Sequence, residues 1–364
     1  MVVKVIEVVP LLQVAKTHRQ RQVIMLLLPS LYVEYPLIPQ VEFDLMKRSD
    51  TNARREFRFD RHGIQKLGFL LGLPAVIVTE SRNRVLRDEA MCILLGRLTF
   101  PCRLYDMTKT FGRSEASLCD IFLHVVKLLY SQWKDLLFFN RKLVQNNVDR
   151  YCQAITAKGA PATNVFGFID GTKVQISRIK STGNGDNLQK QVYSGHKRLH
   201  CLSYQAVTVP DGICVHFVGP VEERKHDTTM LRHSGLLDYF LQYERDFESK
   251  YIYGDPAYGV SRFLLSGFKG NGLTERQKEF NKWMSRVRQS VECNFKIIKT
   301  LWSFITFKNL AKVRLSPVAK IVCVAMLLTN CHCCYHGGNQ ISKYFGLEPP
   351  NLEDYLDVVE IFNV

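Results

Sequence analysis

Val165-Phe-Gly-Phe-Ile-Asp170-Gly-Thr172 is the stretch on which the fold turns. Before it, apolar residues recur every three or four positions. From about residue 160 they alternate or run together, so the chain passes from helices to strands here. Val165 to Ile169 is a short apolar run closed by Asp-Gly, which reads as a buried strand followed by a turn. Asp170 is then expected to emerge where a core strand meets the surface.

Downstream, His200 to Val209, the turn Pro210-Asp211-Gly212 and Ile213 to Val218 read as a hairpin, and Lys250 to Tyr253 as another strand. Gly254-Asp255-Pro256-Ala257-Tyr258 leaves that strand, giving Asp255 the same strand-end position as Asp170. Two helices follow. One opens at Thr274 with Gln277 three residues on, a capping-box pattern, and runs to about Lys299; the other, Ser316 to about Tyr335, is apolar on most faces. Strands followed by helices describe a mixed α/β domain over residues 151–340, with 341–364 as a C-terminal tail.

Upstream, residues 46–150 read as an all-α domain. Arg82 to Thr99 spaces Val85, Ala90, Ile93, Leu94 and Leu98 at helical intervals, and Ser117 to Leu129 does the same. Between them a short helix would end at Gly112 and another begin behind Ser114, a helix-turn-helix-like arrangement. In such a motif Arg113, Ser114 and Ser117 would face base edges in a major groove; the alternative is a helical hairpin packed on the rest of the protein. Residues 1–45, with Pro10, Pro29, Pro36 and Pro39, carry no chemistry that can be named.

The 364 residues include 49 Lys+Arg and 34 Asp+Glu, for a formal charge of +15. With 46% hydrophobic and 11% aromatic residues, the chain can bury a sizeable core, which argues against disorder. The excess positive charge points to a polyanion, nucleic acid above all, because lysine and arginine gain affinity by displacing counterions from phosphates. No uninterrupted apolar stretch reaches the roughly 18–20 residues of a membrane helix, Val23 to Val33 and Ile321 to Thr329 being the longest, so no membrane is expected. Nor is a secretory leader expected. Eleven cysteines without regular spacing suit reduced thiols, in nucleus or cytoplasm. Cys331, Cys334 and His336 lack a second ligand pair for zinc, and no Gly-Lys-Ser/Thr ends a glycine-rich loop.

Glu292 completes the set of carboxylates. Between Ser285 and Leu315 it is the one acid among Arg286, Arg288, Lys296, Lys299, Lys308, Lys312 and Arg314. An i,i+4 pair with Arg288 or Lys296 accounts for it on an exposed helix, at a few tenths of a kcal/mol. Taken with Asp170 and Asp255 it suits another purpose. Oxygen ligands from two strand ends and one helix fit a hard divalent ion, Mg²⁺ or Mn²⁺. Two such ions about 3.5–4 Å apart activate a nucleophile and stabilise a leaving oxygen in phosphodiester displacement. The surrounding basic residues, with His196, Lys197 and Arg198 before the hairpin, would hold a phosphate backbone. Asp227 after His226 either lies near the metal or DNA or caps the helix that begins at Thr228.

The ordered set Phe168-Ile-Asp170-Gly-Thr172, Tyr193-Ser-Gly-His196-Lys-Arg198-Leu-His200, Pro210-Asp-Gly212, Gly219 through His226-Asp227, Tyr253-Gly-Asp255-Pro-Ala-Tyr258 and Arg288-Gln-Ser-Val-Glu292-Cys-Asn-Phe295 resembles the PIF/Harbinger-type transposases and the Harbinger transposase-derived nucleases of animals. The match spans about residues 85–335. It implies an RNase H-like domain, a mixed sheet flanked by helices, with a DDE triad of Asp170, Asp255 and Glu292. It implies a metal-dependent DNA endonuclease or transposase, possible oligomers, and a Myb-like helper protein. The sequence departs from the family's pattern at Cys293 and Lys296, where an Arg-Phe-Gly-like run is usual, and at Leu328-Thr329-Asn330, where Leu-His-Asn is usual. Neither departure touches a triad residue. The rival reading is a domesticated DNA-binding protein that no longer cuts; a third is a metal-dependent RNase or other phosphodiesterase.

Overall fold

A computed structural model describes residues 8–27, 37–179, 188–195, 198–221, 227–308, 311–313 and 315–356. The chain divides into two compact units, residues 1–41 and 42–364. In the first, helix α1 (His18–Leu27) starts behind a reciprocal cap: Thr17 Oγ1 accepts from the Gln20 N–H at 3.2 Å, and Gln20 Oε1 accepts from the Thr17 N–H at 3.1 Å.

The second unit opens with α2 (Asp50–Phe57), α3 (Arg61–Leu70), a hairpin of β1 (Val76–Val78) and β2 (Arg84–Leu86), then α4 (Arg87–Thr99), α5 (Leu104–Phe111), α6 (Glu115–Phe138) and α7 (Arg141–Ala157). Helix α6 buries Leu118, Ile121, Phe122, Val125, Val126, Leu129, Trp133 and Leu137, the helical spacing legible in the sequence. The helix expected from Arg82 starts only at Arg87. Residues 84–86 pair instead with 76–78 across a turn in which Arg82 has φ 62°. Only Ile77 and Val85 of that hairpin are buried, too little alternation to announce strands.

Six strands form the main sheet: β3 (Val165–Gln175), β4 (Tyr193–Ser194), β5 (Leu199–Thr208), β6 (Cys214–Val221), β7 (Tyr251–Gly254) and β8 (Leu264–Ser266). β5 pairs antiparallel with β6, β4 and β3, while β7 and β8 continue parallel beyond β3. The expected end of the first strand at Asp170 is corrected here. β3 runs on to Gln175 because β5 keeps pairing with it, Asp170 opposite Ala206 and Gln175 opposite Cys201. What stops near Asp170 is the parallel partner, since β7 ends at Gly254. The β5–β6 turn is built as expected. Gly212 has φ 89°, and buried Asp211 accepts from the Ile213 N–H at 3.0 Å and the Tyr151 hydroxyl at 2.5 Å.

Besides single turns at Leu188–Gln191 and Glu244–Phe247, the helices that follow β3 are α8 (Asp227–Ser234), α9 (Leu236–Gln242), α10 (Glu275–Leu301), α11 (Val318–Tyr335), α12 (Gln340–Phe345) and α13 (Leu352–Leu356). The box read from the sequence starts α10: Thr274 Oγ1 accepts from the Gln277 N–H at 3.3 Å, and Gln277 Oε1 accepts from the Thr274 N–H at 2.9 Å. Phe168 and Tyr253 of the sheet, Met284 and Val287 of α10 and Ile341 of α12 form one apolar cluster, which fixes α10 over β3 and β7. Helix α11 is long and apolar enough by length and composition to cross a membrane, and it is buried inside the protein.

The main apolar core runs from Leu45 to Leu356 and mixes side chains of α2–α7 with those of β3, β5 and β6. Residues 46–150 and 151–340 therefore share one interior. Residues 341–356 join it too: Leu352, Tyr355 and Leu356 are buried, and the Tyr355 hydroxyl accepts from Asn330 Nδ2 at 2.9 Å.

Candidate active site

The sheet register brings the two aspartates together. Phe168 lies opposite Tyr253 in the parallel pair, so Asp170 of β3 and Asp255 in the turn just beyond β7 each follow that pair by two residues. Gly254 makes the turn beyond β7 possible. A Cβ there would stand 2.8 Å from the Tyr258 ring and 2.9 Å from Ile169. Backbone amides then fix the carboxylates, since Asp170 Oδ1 accepts from the Gly171 N–H at 2.9 Å and Asp255 Oδ1 from the Ala257 N–H at 2.8 Å.

Helix α10 supplies the third carboxylate. Glu292 is exposed, and Arg288, one turn earlier, places Nη2 2.8 Å from its Oε1. The i,i+4 pair considered from the sequence is therefore present. The same guanidinium also reaches across to the sheet, with Nη1 3.7 Å from Asp170 Oδ1. Both other carboxylates act on Asp170: burial pushes its carboxyl up to about 6, Arg288 opposes this, and Glu292 and Asp255 add to it. Burial outweighs the guanidinium because the ion pair is long and the carboxylate is only 24% exposed. Lys299, two turns beyond Glu292, bonds Thr172 Oγ1 at 3.0 Å on the same strand as Asp170. Lys296 is exposed between them.

The folded-state value of about 6 at Asp170 lies above the 3.8 of an ordinary aspartate, so the native state holds this proton more tightly than the unfolded chain. Asp170 therefore lowers stability progressively as pH rises from about 4 through 6. In EDTA, Asp170→Asn should be about 1–3 kcal/mol more stable than the parent at pH 7.5 and equal to it at pH 4. Urea melts at the two pH values check this; a constant difference would contradict it.

Three oxygen donors suit a hard divalent cation. Their present placement does not form a ligand set: among the described residues no group of three or more His, Cys, Asp or Glu is arranged to hold a metal, and Arg288 lies between Asp170 and Glu292.

The other residues singled out from the sequence fall in several places. Arg198 is exposed with φ 53° at the start of β5, and Asp227 is the first residue of α8. His196, Lys197 and His226 lie outside the described residues. The sequence reading missed Tyr253, whose hydroxyl burial pushes up to about 12 while Arg288 opposes and Asp255 adds to the shift. The available signal was parity, because residues 253 and 255 project to the same side of an extended chain.

At the helix-turn-helix-like turn, Gly112 has φ 59° and Ser114 Oγ accepts from the Ser117 N–H at 3.2 Å, as expected of a capped second helix. The side chains meant for base edges are engaged inside the protein. Arg113 makes a two-pronged pair with Glu89 at 2.5 and 2.9 Å, and the Ser117 hydroxyl donates to Asn83 Oδ1 at 2.8 Å. The β1–β2 turn thus covers the start of α6, since Thr79 and Asn83 also donate to Asp120. Arg113→Ala strands Glu89, 11% exposed, and should cost about 1–3 kcal/mol in a urea melt; an unchanged midpoint would free Arg113 for another role.

No curated protein matches the chain, and no solved structure does. The family model described as DDE superfamily endonuclease matches residues 169–330, a stretch that begins one residue before Asp170, contains Asp255 and Glu292, and ends inside α11.

Proposed function

We propose that the protein is a divalent-metal-dependent DNA endonuclease of DDE type, related to the PIF/Harbinger transposases, with Asp170, Asp255 and Glu292 as its acidic residues. The observation that supports this reading is that Asp255 and Glu292 both lie close enough to Asp170, beside the central strands β3 and β7, to act on its carboxyl, and that all three fall inside the matched region. The RNase H-like assignment is supported by strand order. Numbered along the chain with β4 set aside, the strands β6, β5, β3, β7 and β8 lie as 3-2-1-4-5, the first three antiparallel and the last two parallel to the first.

Asp170, Asp255 and Glu292 would hold Mg²⁺ or Mn²⁺, and a divalent ion there would supply Lewis acidity toward a phosphate oxygen. The chain's own groups do the positioning. The Gly171 and Ala257 amides hold the two aspartates in fixed rotamers. Lys296 and Lys299, with Arg288, Arg198, His196 and Lys197, meet the phosphates of DNA. Arg113, Ser114 and Ser117 are kept as base-reading candidates only in a conformation in which Arg113 and Ser117 leave Glu89 and Asn83. Asp227 would act near the metal or DNA, a Myb-like helper would deliver the protein to its site in the nucleus, and strand transfer could follow cleavage.

Incubating the protein with supercoiled plasmid in Mg²⁺ or Mn²⁺ tests this. Nicked circles should appear, and EDTA should suppress them; intact plasmid in both metals would favour the non-cutting DNA-binding protein.

A further inference from the structure

Arg288 stands where a cation shared by Asp170 and Glu292 would have to stand. Its two terminal nitrogens are divided between these carboxylates, Nη2 at 2.8 Å from Glu292 and Nη1 at 3.7 Å from Asp170. The Arg288 side chain is 19% exposed and that of Asp170 24%, so the contact on its sheet side is a partly buried ion pair and not a solvated surface contact. Tyr253 of β7 and Asp255 in the turn after it lie close enough to act electrostatically here, Arg288 on the Tyr253 hydroxyl and Asp255 on the Asp170 carboxyl. A guanidinium and a divalent cation cannot share these oxygens, because two positive centres would lie within a few ångströms in a partly desolvated site.

We infer that Arg288 is an internal counter-ion that competes with the divalent metal for Asp170 and Glu292 and is transferred to a nucleic acid phosphate when the metal takes its place. The inference rests on the metal-dependent reading given above and adds an exchange step to it. Arginine suits both positions, since its planar fork bonds carboxylate and phosphate oxygens equally well. The exchange needs no movement of the backbone: Arg288 and Glu292 lie one turn apart on α10, which the Met284 and Val287 cluster holds on the sheet, and the long side chain swings by rotamer change alone. Linkage then makes metal and phosphate binding mutually reinforcing, because each favours the conformation in which Arg288 has left the carboxylates.

The inference is tested by Mn²⁺ binding to the full chain without DNA, read from the electron paramagnetic resonance signal of the free ion. The parent is compared with Arg288→Gln and Asp255→Asn. Arg288→Gln should bind Mn²⁺ about tenfold more tightly, a typical coupling, and Asp255→Asn more weakly. In a second arm, Mn²⁺ should raise the parent's affinity for a short duplex and raise that of Arg288→Gln much less. Circular dichroism checks that the variant folds. If it does not, Arg288→Lys serves, with a smaller shift in the same direction, since one ammonium cannot span both carboxylates. Equal Mn²⁺ affinity in the parent and the Arg288 variant, weakened in both by Asp255→Asn, overturns the role of Arg288 and leaves the carboxylate site standing. Mn²⁺ binding that is absent or indifferent to Asp255→Asn overturns both.

Discussion

Asp255→Asn should lower single-turnover nicking at least about a thousandfold while the protein stays folded. An ion contributes several kcal/mol of charge stabilisation at a phosphoryl centre, and about 4 kcal/mol corresponds to that factor. The substitution is gentle to the fold. Asn can still accept from the Ala257 N–H, the bond that shapes the turn, and the side chain is neither deeply buried nor ion-paired in the way Asp170 is. Glu292→Gln should act in the same way, since it removes the charge and weakens only an i,i+4 pair worth a few tenths of a kcal/mol on an exposed face. Nicking assays and thermal melts on the same preparations check both. Parent-like nicking in either variant would remove that residue from the proposed chemistry.

The largest effect on stability is expected from Trp302→Ala. Trp302 follows α10 directly, is fully buried in the main core, and donates from Nε1 to Thr329 Oγ1 of α11 at 3.0 Å. It therefore ties the end of the helix carrying Glu292 to the central buried helix. Truncation of a buried Trp leaves a cavity costing about 3–5 kcal/mol, a large share of the roughly 5–15 kcal/mol typical of a folded protein. Thr329→Val removes this bond together with the one the Thr329 hydroxyl donates to the Ala325 carbonyl at 2.7 Å, and should cost about 1–2 kcal/mol, chiefly because the indole N–H then loses its partner. Urea denaturation of the two variants separates packing from hydrogen bonding. A loss under 1 kcal/mol for Trp302→Ala would contradict the coupling of α10 to α11.

What could be read from the sequence was local. The change of period near residue 160, the Pro210-Asp211-Gly212 turn and the Thr274/Gln277 box each rest on interactions a few residues apart, and each appears in the structure. The candidate carboxylates were legible for a related reason: an acid directly after a short apolar run stands out against its neighbours. Asp170 nevertheless lies inside β3, because strand length was decided by β5, some thirty-six residues away along the chain, as Asp170 pairs with Ala206. Contacts between distant segments were not legible. Arg113 with Glu89, Arg288 with Asp170, and Asn330 with Tyr355 join residues whose spacing has no helical or strand period. For the same reason the packing of residues 46–150 and 151–340 around one shared apolar core was not legible in the sequence.

The most direct test of the central claim, that these carboxylates bind the catalytic metal, uses Asp255→Cys in a nicking assay with Mg²⁺ and then Mn²⁺. A thiolate is a poor ligand for Mg²⁺ and a better one for the softer Mn²⁺. The account predicts that nicking is lost in Mg²⁺ and returns at least in part in Mn²⁺, whereas Asp255→Asn stays inactive in both. Parent-level nicking by Asp255→Cys in Mg²⁺ would contradict it.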